Sequence, residues 1–324
     1  MPVNFWPLFL VFAAPLPVGT DRRLRHVPWM TWGLIGLNVL VFALTYSDPT
    51  VFDRWGLVPA QPDYMKLFTY LFLHVGFWHL FWNMVFLWLF GPHVEDALGK
   101  VSYAILYFGG GIAAGLLHMA ITLLTASHTG SVDAAPLIGA SGAISSILAP
   151  FALRFHRAQI RLFWLPGLLL PGGWARLELP VLWGLALFFL QNLANGLWSL
   201  AHPESGGTAY WAHIGGFVFG LVAAQITNLL TEGRMDYLLQ DARSVAGDLQ
   251  NYRIYLDHHP EDAGVRVELA RALLQRREGG ASDRQDAALE ALSAVRLFHK
   301  QGRLPDAAQA CEAARTLGLP LLLA

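Results

Sequence analysis

Charge is what this chain has least of. Asp, Glu, Lys and Arg together make up 14% of its 324 residues, against about 25% in an ordinary soluble domain. Neither sign is in surplus, since 22 Lys/Arg face 23 Asp/Glu. A chain without excess Lys/Arg lacks the means to hold a phosphate backbone, so no nucleic-acid partner is expected. Cysteine is nearly absent too. Cys311 stands alone, which excludes an intrachain disulfide and suits a reducing compartment for its end of the chain. The zinc-protease pattern His-Glu-x-x-His is missing, and no metal or cofactor is expected. No facing pair of carboxylates lies within the apolar runs, which excludes an aspartyl protease acting inside a membrane. The apolar stretch Asn4 to Leu16 has no Lys or Arg before it and contains Pro7 and Pro15, so it reads as an interfacial segment and not a signal peptide.

The scarcity of charge is uneven. Residues 1–230 hold 10 Lys/Arg and 9 Asp/Glu, whereas 231–324 hold 12 and 14. The reading is an N-terminal cytoplasmic or interfacial segment at 1–26, a membrane domain at 27–230 and a soluble helical C-terminal region at 231–324. A membrane-spanning helix needs about 20 mostly apolar residues. Six segments qualify or come close: 27–46, 77–97, 101–124, 138–155, 179–199 and 208–230. The stretch 162–172 is Pro-broken and too short, and is assigned to the interface or to the side of the bundle. The long connection 47–76, with Trp55, Tyr64, Phe68, Tyr70 and Phe72, is placed in the outer-leaflet interface, because irregular backbone is not tolerated in hydrocarbon. The expected fold class is an all-α polytopic membrane protein, a six-transmembrane-helix bundle with a small helical cytoplasmic C-terminal domain.

Lys and Arg collect on one side. Arg22, Arg23 and Arg25 precede the first span, Lys100 follows the second, and Arg154, Arg157, Arg161 and Arg176 surround the connection from the fourth to the fifth. The positive-inside rule then puts both termini in the cytoplasm, and the expected setting is a bacterial inner membrane. With that orientation the second, fourth and sixth spans all start on the outer side.

Polar groups within spans are candidates for function. His79 and Asn83 share a face of the second span, Ser141 opens the fourth within Gly139-Ala140-Ser141-Gly142, and His213 lies near the start of the sixth. All four fall within about two turns of outer helix starts, and so at one depth. A serine needs a base to take its proton, and neutral histidine is suited to that task. Ser141 is therefore read as nucleophile and His213 as base. The backbone N–H of Ser141, the Asn83 amide and the His79 imidazole are read as oxyanion donors. Gly139 and Gly142 allow tight packing around the serine, and Gly216 and Gly220 form a small-residue face that lets the sixth helix come close to a neighbour. His74, five residues before His79, is a supporting residue. His118, His128 and His202 are assigned to loops or the interface, and Glu95 to pinning the turn before the third span. No Asp or Glu lies in spans four or six, so the expectation is a dyad. A channel or carrier is the rival class, but no internal repeat supports it.

In combination, these residues resemble the rhomboid intramembrane serine proteases. The resemblance covers about 27–230 and rests on His79-x-x-x-Asn83, Gly139-Ala140-Ser141-Gly142 and Ala212-His213-x-Gly215-Gly216 with Gly220. It implies a six-helix bundle with a short central fourth helix, a water-filled cavity open to the outer side, and a Ser141–His213 dyad with His79 and Asn83 on the oxyanion. It also implies single-span membrane proteins in the lipid bilayer as substrates. The alternative is a non-catalytic, client-binding relative. Two positions depart from the family pattern. Ser145 stands where many members carry an aromatic that stacks on the histidine, and Met65-Lys66 stands near a common Trp-Arg pair. The amphipathic stretches 265–275, 284–300 and 305–316 resemble tetratricopeptide-type hairpins, two repeats at most. The C-terminal region reads as a small helical domain for contact with a protein partner or, alternatively, as a plain solvated helical tail.

Overall fold

The computed structural model describes residues 16–20, 24, 26–61, 63–129, 135–164, 175–202, 210–244, 249–275 and 280–316. The N-terminal segment 1–15, His128's side chain and the proline-rich run 165–172 lie outside what is described. The chain divides into two units, Met1–Leu230 and Thr231–Ala324, at the position where its charge content changes.

Six helices of the first unit fall on the six apolar segments. They are α1 (Trp29–Thr45), α4 (Phe77–Leu98), α5 (Lys100–Thr129), α6 (Ser141–Arg154), α7 (Val181–Ala201) and α8 (Tyr210–Ile226). Among the described residues two helices, Lys100–Ser127 and Val181–Ala201, are long and apolar enough to cross a membrane. A third candidate is α4 taken with the segment before it, Lys66–Phe72, across a 96° bend. Helices α1 and α8 are apolar but shorter, at 17 residues each, or about 25 Å of rise.

Helix α6 is the centre of the unit. Its 14 residues rise only about 21 Å, less than the roughly 30 Å of a bilayer's hydrocarbon, and every residue from Gly142 to Phe151 is buried. The short helix is thus solvated by other helices, chiefly α5 and α8. Its Ser146 hydroxyl, 2.9 Å from the Leu106 carbonyl oxygen, links it to α5.

The connection 46–76 folds into two short helices, α2 (Val51–Trp55) and α3 (Lys66–Thr69), followed by a 3-10 turn at Tyr70–Phe72. Tyr64 is 94% exposed, as an interfacial residue would be, but Tyr70 is 1% exposed and donates its hydroxyl to the Gly111 carbonyl. Tyr70 and Phe72 are core residues, a correction to their placement in the interface. The loop folds back because its aromatic end finds a dry site against α5.

Glu95 has a different task from the one its position suggested. Its carboxylate accepts from the backbone N–H groups of Met30 and Thr31 and from the Thr31 hydroxyl, at 2.7–3.0 Å. It therefore caps α1 from 64 residues away, where an anion also meets the positive end of the helix dipole.

The all-α reading needs one amendment. Strands β1 (Leu16–Thr20), β2 (Gln159–Trp164) and β3 (Ala175–Pro180) form an antiparallel sheet in the order β1-β2-β3. Arg161 pairs with Glu178 in its register. The run after α6 is thus in part a strand.

The second unit comprises α9, which begins at the boundary (Leu229–Ser244), α10 (Leu249–His258), α11 (Ala263–Gln275), α12 (Ala281–Lys300) and α13 (Leu304–Thr316). Leu239, Tyr252, Leu256, Leu269 and Leu273 form its buried core. Arg243 grips Glu268 with two hydrogen bonds of 2.7 and 2.8 Å, and Arg266 meets Glu290 at 2.6 Å.

Candidate active site

The site begins with a turn. Gly139 has φ +115°, a conformation that side chains disfavour, and its N–H donates to the Tyr70 carbonyl. The His79 imidazole lies directly over it, so a Cβ at Gly139 would sit 2.8 Å from that ring. The chain then enters α6 at Ser141 with no side chain capping the helix start. The first N–H groups of α6 thus have no partner within the helix.

Close packing of α8 on α6 sets the next distance. A Cβ at Gly216 would collide with the Gly142 carbonyl, and one at Gly220 with the Ser146 carbonyl. Two bare faces one turn apart let the helix backbones touch. A Cβ at Gly142 would in turn meet Ala114 of α5 at 2.6 Å. This contact brings His213 to Ser141, with Nε2 2.8 Å from Oγ.

His213 is held on its other side by α7. Its Nδ1 lies 2.6 Å from the Asn192 Oδ1, and Phe188 packs on the ring at a centroid distance of 5.7 Å. Phe188 thereby supplies from a neighbouring helix the aromatic contact that Ser145 cannot. Ser145 instead donates its hydroxyl to the Ser141 carbonyl.

Above Ser141 lies an open cavity of about 410 Å³. Ser141, His213, His79, Asn83 and Ser145 are among its polar lining, and Trp78, Trp82, Phe86 and Phe188 supply much of its wall. Asn83 donates one N–H to the His79 carbonyl at 2.8 Å, and the second N–H of its amide remains for the cavity. His74 is buried, with its ring edge-on to His79 at 5.0 Å. The arrangement can take a proton from a hydroxyl and offer N–H donors to an anion beside it. Among the described residues no group of three His, Cys, Asp or Glu could hold a metal.

The model of the Rhomboid domain matches residues 61–228, just over half of the chain and all of the site. The chain belongs to the rhomboid family. It is 29% identical over 250 residues to Rhomboid protein 1, mitochondrial, of Saccharomyces cerevisiae, covering 72% of this chain and 66% of that one. It is 28% identical over 144 residues to the putative rhomboid protease YdcA of Bacillus subtilis, covering 44% and 65%. To the human presenilin-associated rhomboid-like protein, mitochondrial, it is 23% identical over 210 residues, covering 58% and 46%. The rhomboid matches thus span about two thirds or less of the length of these relatives.

Rhomboids are membrane-embedded. Two of these relatives are mitochondrial and one is bacterial, so the likeness does not support the bacterial inner membrane expected from the sequence.

All the residues singled out for this rhomboid's site come together in the structure: Ser141, His213, His79 and Asn83 around one cavity, His74 behind His79, and Gly139, Gly142, Gly216 and Gly220 at the contacts that set the spacing. Asn192 and Phe188 were not anticipated. Helix α7 runs opposite to α4, α6 and α8 in the expected topology, so its residues at the depth of Ser141 lie in its second half. A search confined to helix starts passes over Asn192, although a carboxamide within Phe188–Leu193 is the intramembrane polar signal that marked Asn83. His118 is also a correction. It is buried on α5 and belongs neither to a loop nor to the interface.

Proposed function

We propose that this rhomboid is an intramembrane serine endopeptidase that cuts membrane proteins in or near their spanning segments. The observation that carries this reading is the 2.8 Å contact between His213 Nε2 and Ser141 Oγ at the floor of an open cavity. The printed name of the Bacillus relative, a putative rhomboid protease, agrees with it.

Ser141 Oγ attacks the scissile carbonyl as His213 Nε2 takes its proton. The oxyanion is met by the Ser141 backbone N–H, the free Asn83 N–H and His79. The protonated His213 then gives its proton to the departing amine, leaving an acyl-enzyme on Ser141. Water enters through the cavity, loses a proton to His213 and releases the new carboxyl end. A peptide bond still in a helix hides its carbonyl, so a segment must unwind locally to reach Ser141. The aromatic wall of Trp78, Trp82 and Phe86 gives an unwound segment an apolar seat.

In this reading the six-helix bundle sits across the bilayer with both termini on the side of the Arg-rich connections. Helix α6 starts below the outer surface because it is too short to span. The C-terminal helices form a separate domain of tetratricopeptide-like hairpins for contact with a protein partner.

Labelling by a fluorophosphonate probe tests the nucleophile. Wild type is expected to label, whereas Ser141→Ala and His213→Ala are not. Equal labelling of wild type and Ser141→Ala would sink the assignment and favour a client-binding protein without catalysis.

A further inference from the structure

The two ends of the Asn192 carboxamide do different things. Its Nδ2 donates to the Phe188 carbonyl one turn back on α7, at 2.8 Å. That bond turns the oxygen end toward His213, whose Nδ1 is 2.6 Å away. A carboxamide oxygen only accepts, so the proton of this bond must belong to Nδ1. A neutral imidazole carries one N–H, so Nε2 is left as a lone pair, and Nε2 is the atom 2.8 Å from Ser141 Oγ.

We infer that Asn192 is a positioning residue: it fixes the tautomer and ring orientation in which His213 accepts the Ser141 proton. The family pattern supplies serine and histidine, and in this chain a third helix supplies their orienting partner. The amide takes the place that a carboxylate holds in a serine triad, without its charge. It lets the imidazolium form, with Nδ1–H still bonded, without stabilising it ahead of the reaction. Asn192 is itself buried, so water does not compete freely for Nδ1. The ring contacts Ser141 from α6 and Asn192 and Phe188 from α7, and the titratable groups that act on it electrostatically are His79 from α4 and His118 from α5. None is a carboxylate. Among the described residues Asn192 is the hydrogen-bond partner of Nδ1.

The inference rests on the protease reading only for its kinetic consequence, so two measurements separate them. The first is nitrogen NMR of 15N-histidine-labelled full-length protein in detergent, with the His213 signals assigned by their loss in His213→Gln. Nδ1–H is expected in wild type and in Asn192→Asp, which keeps an acceptor oxygen, and a mixture with Nε2–H in Asn192→Leu. Wild type carrying Nε2–H, or a tautomer unchanged in Asn192→Leu, would overturn the inference.

The second is the rate of fluorophosphonate labelling against pH. Asn192→Leu is expected to lower the rate about tenfold, the scale of one lost hydrogen bond. In Asn192→Asp a new carboxylate beside His213 should hold its proton and move the acid limb upward by about a unit or more. If Asn192 only secured the backbone of α7, the limb would stay where it is in wild type, and that result too would overturn the inference. A wild type that fails to label while its tautomer depends on Asn192 would instead defeat the protease reading and leave the positioning role standing.

Discussion

A single side-chain amide on α4 faces the spot where charge would develop. Asn83 keeps one N–H on the His79 carbonyl and has a second for the cavity. Loss of one preorganised oxyanion donor typically slows turnover by about 10²–10³-fold. Asn83→Ala is therefore predicted to cut kcat by about that factor with little change in KM, while the Ser141 N–H and His79 sustain a residual rate. Progress curves on a single-span substrate check this, and an unchanged kcat would remove Asn83 from the oxyanion site. His79, Asn83, Ser141 and His213 were legible as a set because each is a costly polar group near the start of an apolar run, and those runs alternate along the chain. Asn192 was not, because its helix runs the other way and its depth is counted from the opposite end.

Between elements, the decisive contact is α8 against α6. Gly216 and Gly220 face the carbonyls of Gly142 and Ser146 without room for a methyl group. Overpacking at such a site costs typically about 1–3 kcal/mol, and here it also separates His213 from Ser141. Gly220→Leu is predicted to lower the melting temperature in detergent and to depress Ser141 labelling, although it touches neither catalytic group. Wild-type melting and labelling together would contradict the contact. The six helices were readable from apolar length, and the α8 stripe from its glycine spacing. The sheet is hard to read from sequence because Pro166 and Pro171 interrupt the run between its second and third strands. The alternation Arg176-Leu177-Glu178-Leu179 and Gln159-Ile160-Arg161-Leu162 held the period-two signal of strands. The cap on α1 was beyond sequence reading, since nothing local joins Glu95 to Thr31 across 64 positions.

At the scale of the molecule, the membrane arrangement proposed here is open to a direct chemical check. Cys311 is the chain's single cysteine, and it is partly exposed on α13 of the second unit. In cells expressing the protein in their plasma membrane, a membrane-impermeant maleimide is predicted to leave Cys311 unlabelled until the cells are permeabilised. Labelling in intact cells would reverse the orientation and put the site near the inner surface. The division into two units near Thr231 falls where the charge content of the sequence changes.

The most direct test of the central claim is cleavage itself. Purified wild type and Ser141→Ala are each reconstituted with a single-span substrate whose outer juxtamembrane segment carries helix-breaking residues, and the products are read by mass spectrometry. Wild type is predicted to produce two fragments cut at one bond in or near the spanning segment, and Ser141→Ala to leave the substrate whole. The same fragments from both proteins, or none from either across a panel of substrates, would contradict the account.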